Sequence, residues 1–298
     1  MKQVEERYIS LLTDFGFKRI FGTAMNKDLL ICFLNSLFNG RQVVKDVSYL
    51  NPEHVGDVYT DSKAIFDVYC EGENGEKFIV EMQNAYQAYF KDRSLFYSTF
   101  PIREQAPKGN DWDFKLNHVY TVALLNFNMN EDAFDKEKIR HHVQLCDTAT
   151  HKIFYDKLEF IYVEIAKFNK TLEELETLYE KWLYALKNLY KLTQRPKELC
   201  DKVFDRLFEE AEIAKFTPQE MREYEASKMA YRDIKNSIDT AKQEGLAEGM
   251  EKGMKKGMEK GMNQKALDIA RNMLADSVDI NLIMKYSGLT QEQIEKLK

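Results

Sequence analysis

Two apolar segments that carry carboxylates in their middle constrain this chain more than any other feature. They are residues 63–72 and 76–83, and the acids are Asp67 and Glu81. In extended backbone alternate side chains share a face, so each acid lies on the same face as hydrophobic neighbours two residues away. A carboxylate in such a position either faces solvent at the edge of a sheet or belongs to a functional site.

The turn between the two segments decides whether the acids meet. A two-residue turn at Asn74-Gly75 leaves Asp67 and Glu81 on opposite faces of the sheet. A three-residue turn at 73–75, with Gly75 in the left-handed region and a bulge, sets Asp67 directly opposite Glu81. We prefer the second register, although apolar patterning does not exclude the first. The preferred register predicts one shared apolar face made of Phe66, Val68, Phe78, Val80 and Met82.

Opposed carboxylates repel each other unless a cation lies between them. A pair of oxygen ligands selects Mg²⁺ or Mn²⁺ rather than zinc. The alternative is that Asp67 and Glu81 are solvent-facing positions of an edge hairpin, so the surrounding elements have to discriminate between the two.

The predicted elements around the hairpin follow a defined order: helix, strand, strand, strand, helix, strand. The acids lie on the second and third strands. The flanking elements are a helix at 26–38 that ends at Asn39-Gly40, a strand at 43–50, a helix at 86–105 that Pro101 is expected to break, and a strand at 118–127.

Further short motifs accompany this order. They are Thr13-Asp14-Phe-Gly-Phe17-Lys18, Leu34-Asn35, the Asp67…Glu81-Met-Gln83 pair, Arg93 followed by Tyr97, and Gly-Met-Glu-Lys repeats in the tail. The order and the acids resemble the core of the PD-(D/E)XK nuclease superfamily, and the further motifs resemble its Rpn-type recombination-promoting nuclease/putative transposase family. The resemblance covers about residues 8–130 and also includes the Gly-Met-Glu-Lys repeats of the tail.

The resemblance implies an α/β fold with a restriction-endonuclease-like αβββαβ core and a mixed sheet, followed by an α-helical C-terminal extension. It implies Asp67, Glu81 and Gln83 as catalytic residues, and Asp67, Glu81 and the Met82 carbonyl as ligands of Mg²⁺ or Mn²⁺. Gln83 stands where the superfamily more often has lysine. Because a neutral amide orients water but supplies no cation, we expect strict metal dependence and modest rates.

Three more residues are candidates for the site. Asp14 would complete a metal site, with a helix N-cap as the alternative, and Lys18 would hold a phosphate one helical turn further on. Arg93 would clamp a phosphate of the scissile strand, with a solvated surface charge as the alternative. Asp57 and Asp61 are interpreted as polar loop residues.

Composition excludes some classes of protein. The net charge of −6 argues against a protein that coats nucleic acid, so phosphate contacts would come from local patches such as Lys18-Arg19, Lys91/Arg93 and Lys108. No signal peptide and no apolar run of about 18 residues is present, which predicts neither secretion nor a membrane span.

The four cysteines lack ligand spacing and are expected to be buried reduced thiols in a cytoplasmic protein. The histidines at 141, 142 and 151 lack matching acids or cysteines, so no metal role is assigned to them.

The sequence predicts four segments: a nuclease core (1–130), a strand-plus-helical extension packing on the core (131–240), a Gly-Met repeat helix or linker (241–262), and a small helical hairpin or helix-turn-helix-like tail (263–298). The extension is expected to hold strands at 139–148 and 157–166, a helix capped by Thr171 and Glu174, and a helix from Thr217 to about Gln243. The last helix is acidic for a recognition helix, which favours a protein-interaction hairpin over DNA reading.

Five glycines recur every four residues from Gly245 to Gly261, each followed by leucine or methionine. In a helix these positions form neighbouring stripes that suit pairing with another chain, so a homo-oligomer through the tail is one hypothesis. A flexible spacer is the alternative, because each glycine costs a helix roughly 1 kcal/mol relative to alanine.

Together these patterns predict a cytoplasmic Mg²⁺- or Mn²⁺-dependent endodeoxyribonuclease that binds DNA and promotes DNA breakage and recombination. The rival hypothesis is a catalytically inactive, DNA-associated or protein-interaction scaffold with a decayed nuclease core. A strand-transfer transposase is a third hypothesis, ranked lower because no third carboxylate is identifiable at the required separation.

Overall fold

The structure is a computed structural model that describes residues 6–54, 64–106, 113–129 and 134–297. Asp57, Asp61 and Lys108 lie outside the described residues. The chain forms two compact units, residues 1–235 and 236–298.

Helices and strands alternate through the first unit, and helices alone make up the second. The described helices are α1 (Asp14–Phe21), α2 (Lys27–Phe38), α3 (Phe90–Glu104), α4 (Leu178–Asn188), α5 (Lys202–Glu210), α6 (Pro218–Ala275), α7 (Ile280–Ser287) and α8 (Gln291–Glu295). The described strands are β1 (Val47–Tyr49), β2 (Glu53–His54), β3 (Ala64–Ile65), β4 (Val68–Gly72), β5 (Lys77–Gln83), β6 (Val119–Leu125), β7 (Arg140–Cys146) and β8 (Ile153–Glu164).

Six strands form one sheet in the order β1-β4-β5-β6-β8-β7, while β2 and β3 pair separately. The pairs β5–β6 and β6–β8 are parallel, and the other pairs are antiparallel. The sheet is therefore mixed, and the predicted αβββαβ order is confirmed by α2, β1, β4, β5, α3 and β6. Strands β7 and β8 lie between residues 131 and 240 and pair into this same sheet.

Helices cover both faces of the sheet. On one face Val80 and Val122 pack with α1, α2, α4 and α5 around the fully buried Trp182. On the other face Ile79 packs against Tyr97 of α3, and Ala123 lies in the cluster of Phe90. The strands therefore present alternate residues to two apolar layers, and β5 is buried on both sides.

The β4–β5 hairpin has the preferred register. Val68 pairs with Val80 and Glu71 with Lys77, and the Gly72 N–H donates to the Glu76 carbonyl at 2.8 Å. Gly75 has φ +81°, as a three-residue turn of this kind requires. Continued by one residue, this register sets Asp67 opposite Glu81.

The placement of Phe66 on the same apolar face as Val80 is wrong. Phe66 packs with Tyr69 and Ile79, under α3, on the opposite face of the sheet. Regular alternation fails because β4 begins only at Val68 and Asp67 occupies a bend, which turns the preceding residue to the other side.

Helix ends follow local sequence signals at two positions. Helix α2 ends at Asn39, which adopts the left-handed region (φ 50°), as predicted. The N-cap of α1 is Thr13, whose hydroxyl accepts from the Gly16 N–H, so the capping alternative for Asp14 is wrong.

Three other expectations about helices and cysteines are also wrong. Helix α3 continues through the buried Pro101, because packing of the helix outweighs one missing hydrogen bond. The Thr171–Glu174 capping box forms but caps a single 3₁₀ turn, and α4 begins only at Leu178 after a second box. Two of the four cysteines are exposed rather than buried: Cys146 and Cys200.

The second unit contains most of α6, which starts at Pro218 and stays helical through the Gly-Met repeat to Ala275. Its end packs with α7 and α8 around Ala270, Ile283 and Ile294. The glycine at the bend has φ +70°, and Thr290 caps α8, as predicted.

Candidate active site

The bend just before strand β4 places the Asp67 carboxylate against β5. Ladder pairing stops at Val68, so the Met82 N–H has no strand partner and instead donates to Asp67 Oδ2 at 2.8 Å. This bond holds the carboxylate at the position where β4 would otherwise continue. The site therefore arises from an interruption of one strand beside an uninterrupted one.

The Met82 carbonyl faces the same edge of β5. The Lys77 N–H donates toward β6, to His118, and the Gln83 carbonyl accepts from Asn126 just beyond β6. Because backbone groups alternate along a strand, the backbone groups of Met82 point to the β4 side, where Asp67 lies. A third oxygen ligand is thus available beside the carboxylates.

Glu81 is 6% exposed, on the face of the sheet that α3 covers. Its Oε2 accepts from the Gln83 amide at 3.1 Å, whereas its buried Oε1 has no hydrogen-bond partner among the described residues. Burial, with a smaller contribution from the Asp67 charge, raises the pKa of Glu81 to about 8. Burial also raises the pKa of Asp67, against the lowering effect of its Met82 hydrogen bond.

Arg93 reaches the site from α3 and is not a solvated surface charge. It donates to Gln83 Oε1 at 2.5 Å and also to Gln87, and its guanidinium lies 5.4 Å from the Phe90 ring centroid and 5.7 Å from that of Tyr97. Its positive charge favours the ionised form of both carboxylates. Gln87 was missed by the sequence analysis, because it lies six residues before Arg93, ahead of α3, and no spacing in the sequence signals the contact.

Helix α1 supplies a second cation. Lys18 Nζ lies 2.7 Å from Asp14 and 3.9 Å from Asp67, and both side chains of the Asp14–Lys18 pair are exposed to solvent. The structure therefore brings together all seven predicted site residues around the start of β4: Asp14, Lys18, Asp67, Glu81, Met82, Gln83 and Arg93.

The donor set fits a hard divalent cation. Among the described residues no three His, Cys, Asp or Glu side chains are clustered as a metal site. The oxygen atoms that lie together are those of Asp67, Glu81 and the Met82 carbonyl, whereas the Asp14 carboxylate is paired with Lys18. All three groups offer oxygen atoms, the type of ligand that Mg²⁺ and Mn²⁺ prefer. The buried Glu81 Oε1 has no hydrogen-bond partner among the described residues, and a bound cation would supply one. Both ions keep several waters when a protein supplies few ligands.

None of the helices in the described part of the chain is both long enough and apolar enough to span a bilayer.

Comparison with known families agrees with this geometry. Residues 11–241 match the PD-(D/E)XK nuclease family transposase model, and residues 263–298 match the C-terminal HTH domain of the Rpn/YhgA-like nuclease family. The second match confirms the helix-turn-helix resemblance of the tail. No curated protein and no solved structure matches the chain significantly. Since the first match spans well over half of the sequence, this chain belongs to the PD-(D/E)XK nuclease family transposases, and it carries an Rpn/YhgA-like C-terminal helix-turn-helix domain.

Proposed function

We propose that this protein is a Mg²⁺- or Mn²⁺-dependent DNA endonuclease that hydrolyses phosphodiester bonds and so promotes DNA breakage and recombination. Family membership indicates a nuclease, and the helix-turn-helix domain implies DNA as a partner. The observation that carries the proposal is the opposed pair of a half-buried Asp67 and a buried Glu81, which has one carboxylate oxygen without a partner.

Asp67, Glu81 and the Met82 carbonyl would hold the cation. When bound, Mg²⁺ or Mn²⁺ would lower the pKa of a water and stabilise charge on the phosphate. The N–H of Met82 fixes the Asp67 carboxylate, so its orientation does not depend on the cation. The proposal thus assigns preorganised ligands to a site in which the buried Glu81 Oε1 has no partner among the described residues.

Gln83 and Arg93 would act as one unit. The Gln83 amide donates to Glu81 and accepts from Arg93, so it links a metal ligand to a guanidinium. Arg93 would supply the positive charge that a lysine at position 83 supplies in related nucleases, and its planar fork suits a phosphate. Lys18, 3.9 Å from Asp67, would hold a second phosphate oxygen, and its pairing with Asp14 would orient it.

One observation favours the alternative, a non-catalytic DNA-associated scaffold. The Gln83 carbonyl oxygen, which would accept a hydrogen bond from the attacking water, already accepts from Arg93, and the amide nitrogen donates one of its two N–H groups to Glu81. A decayed core would retain this network as a structural one.

Cleavage of supercoiled plasmid separates the two functions. Purified protein would be incubated with Mg²⁺, Mn²⁺ or chelator, and nicking and linearisation would be followed for the wild type, Asp67→Asn and Asp67→Ala. Glu71→Gln is the matched control, because Glu71 lies on the same hairpin but pairs with Lys77 at 2.6 Å at its other end. The nuclease proposal requires metal-dependent cleavage that both Asp67 variants lose and the control keeps. Absence of cleavage with either metal would support the scaffold.

We also propose that the tail mediates self-association. In α6 the residues Leu246, Met250, Met254, Met258 and Met262 are 66–71% exposed, and nothing lies within 4 Å of a Cβ added at the repeat glycines. Light scattering on the full chain and on a chain truncated before Gly245 would test this, and two monomer masses would contradict it.

We also propose a cytoplasmic location, since the exposed free thiols of Cys146 and Cys200 suit a reducing compartment.

A further inference from the structure

The proposed nuclease site draws on two segments that are far apart in the chain. Helix α1 carries Asp14 and Lys18, and β5 carries Glu81 and Gln83. Lys18 Nζ lies 3.9 Å from the Asp67 carboxylate, and this distance depends on where α1 lies relative to the sheet. A contact that fixes α1 against the end of β5 therefore also fixes the cation beside the carboxylates.

Asn84, the first residue after β5, makes such a contact. Its Nδ2 donates to the Leu12 carbonyl at 2.7 Å, across 72 positions of the chain and two residues before Asp14. Because Leu12 is 4% exposed, water cannot readily replace this donor. The bond thus ties the segment that leads into α1 to the end of the metal-site strand.

A second amide orients the first. Asn126 follows β6, and its N–H donates to the Gln83 carbonyl at 2.8 Å. Its Nδ2 lies 3.4 Å from Asn84 Oδ1 and 3.2 Å from the Tyr231 hydroxyl. An amide has one accepting end and one donating end, so the Asn84 oxygen that faces this donor leaves Nδ2 directed at Leu12. A flipped Asn84 would place nitrogen against nitrogen and oxygen against oxygen.

One face of α6 contacts both α1 and this amide pair. Tyr224, Ser227 and Tyr231 have the spacing of neighbours on a helix surface. The Ser10 N–H donates to the Tyr224 hydroxyl at 3.0 Å. The Phe15 N–H donates to Ser227 Oγ at 3.0 Å, which satisfies a donor that the first turn of α1 leaves without a helical partner. Helix α1 is therefore held by α6 as well as by the end of β5.

We propose that Asn84 is a positioning residue of the nuclease site. Together with Asn126 and Tyr231, it holds α1 in place. Lys18 then lies beside Asp67, where it would contact a phosphate of the substrate. Because the Asn84 side chain bonds to the segment before α1 and to the amide after β6, it acts through the position of Lys18. This inference rests on the proposed function in taking Lys18 to bind a phosphate.

The surroundings of Lys18 can be followed without DNA or metal. Reductive ¹³C-methylation keeps the charge of a lysine, and the resonance of dimethylated Lys18, assigned with Lys18→Arg, responds to nearby carboxylates. We expect Asn84→Ala to shift this resonance. The matched control is Asn35→Ala, because Asn35 is also half-buried and its Nδ2 donates to the Val44 carbonyl at 2.8 Å, at the end of α2.

An unmoved Lys18 resonance in Asn84→Ala, or an equal shift in Asn35→Ala, would overturn the proposal. Tyr231→Phe provides a milder variant, since it keeps the ring and removes only the hydroxyl that lies 3.2 Å from Asn126. Its expected result is a smaller shift in the same direction as that of Asn84→Ala. A Tyr231→Phe spectrum identical to that of the wild type would show that the amide pair does not depend on α6.

Plasmid cleavage links this position to catalysis. In the wild type and in Asn35→Ala, Lys18→Met is expected to lower kcat about tenfold. Asn84→Ala is expected to lower kcat about tenfold by itself, and adding Lys18→Met to it should cost less than about twofold, because the cation is already displaced. Independent, multiplicative losses would overturn the proposal. A wild type that cleaves no DNA would refute the proposed function, and the Lys18 resonance would still decide whether Asn84 positions that side chain.

Discussion

Replacement of Glu81 by glutamine should stabilise the metal-free protein while removing its activity. Glu81 is 6% exposed, faces Asp67 and has one carboxylate oxygen without a partner. Glutamine has almost the same volume and carries no charge, so the substitution removes the repulsion and leaves the packing intact. A residue kept for function at a cost in stability is expected to behave in this way.

The magnitude follows from the pKa of Glu81, which is raised to about 8 from an ordinary 4.5. A carboxyl group with a raised pKa in the folded state lowers stability as pH rises from 4.5 to 8, because the unfolded chain ionises first. At pH 7 the interval above the ordinary pKa is 7 − 4.5 = 2.5 units, which at 1.36 kcal/mol per unit gives a cost of about 3 kcal/mol. Glu81→Gln is therefore expected to gain about 1–3 kcal/mol at pH 7 and nothing below pH 4.5.

Urea unfolding in chelator, followed by fluorescence of the buried Trp182, measures this difference across pH 4–8. Glu71→Gln is the control, because a partly exposed ion pair contributes only about 0–1 kcal/mol. Added Mn²⁺ should stabilise the wild type and leave Glu81→Gln unchanged, since a cation replaces the missing partner of Glu81. The reasoning is refuted if Glu81→Gln unfolds at the same urea concentration as the wild type at pH 7.

Three further predictions concern other parts of the chain. Arg93→Met should slow plasmid cleavage by about 10²-fold or more in a gel assay while Arg93→Lys retains part of the rate, and equal rates for the two would contradict a role for the charge. Gly249→Ala with Gly253→Ala should raise the thermal stability of the tail helix, measured by circular dichroism, by about 0.5–1 kcal/mol each, because an added Cβ meets nothing within 4 Å. A loss of helicity would show that the glycines are packed against a partner. Gly16→Ala should cost about 2 kcal/mol or more in urea unfolding, because its Cβ would meet the Ser10 carbonyl oxygen at 2.1 Å, and an unchanged midpoint would contradict that contact.

The sequence predicts well those features that local chemistry determines. The three-residue turn at 73–75 gives the register that opposes Asp67 and Glu81, as preferred, although the sequence pattern alone left the two-residue Asn74-Gly75 turn open. The Thr290 cap and the helix stop at Asn39 follow from the same local preferences. Each of these depends on residues within a few positions of one another.

Features that depend on distant residues were missed. The bend at Asp67 that turns Phe66 away follows from the Met82 N–H capturing the Asp67 side chain, a contact across 15 positions. The continuity of α3 through Pro101 depends on packing against the sheet. His141 acquires its partner Glu164 only because β7 pairs with β8, and no spacing in the sequence signals that contact.

Anomalous X-ray scattering from crystals soaked in Mn²⁺ tests most directly whether the opposed carboxylates bind the cation that cleavage requires. A peak coordinated by Asp67, Glu81 and the Met82 carbonyl in the wild type, absent in Asp67→Asn, is the predicted result. Ordered crystals in which Mn²⁺ is bound elsewhere, or not bound at all, would contradict the metal-dependent nuclease proposed for this chain.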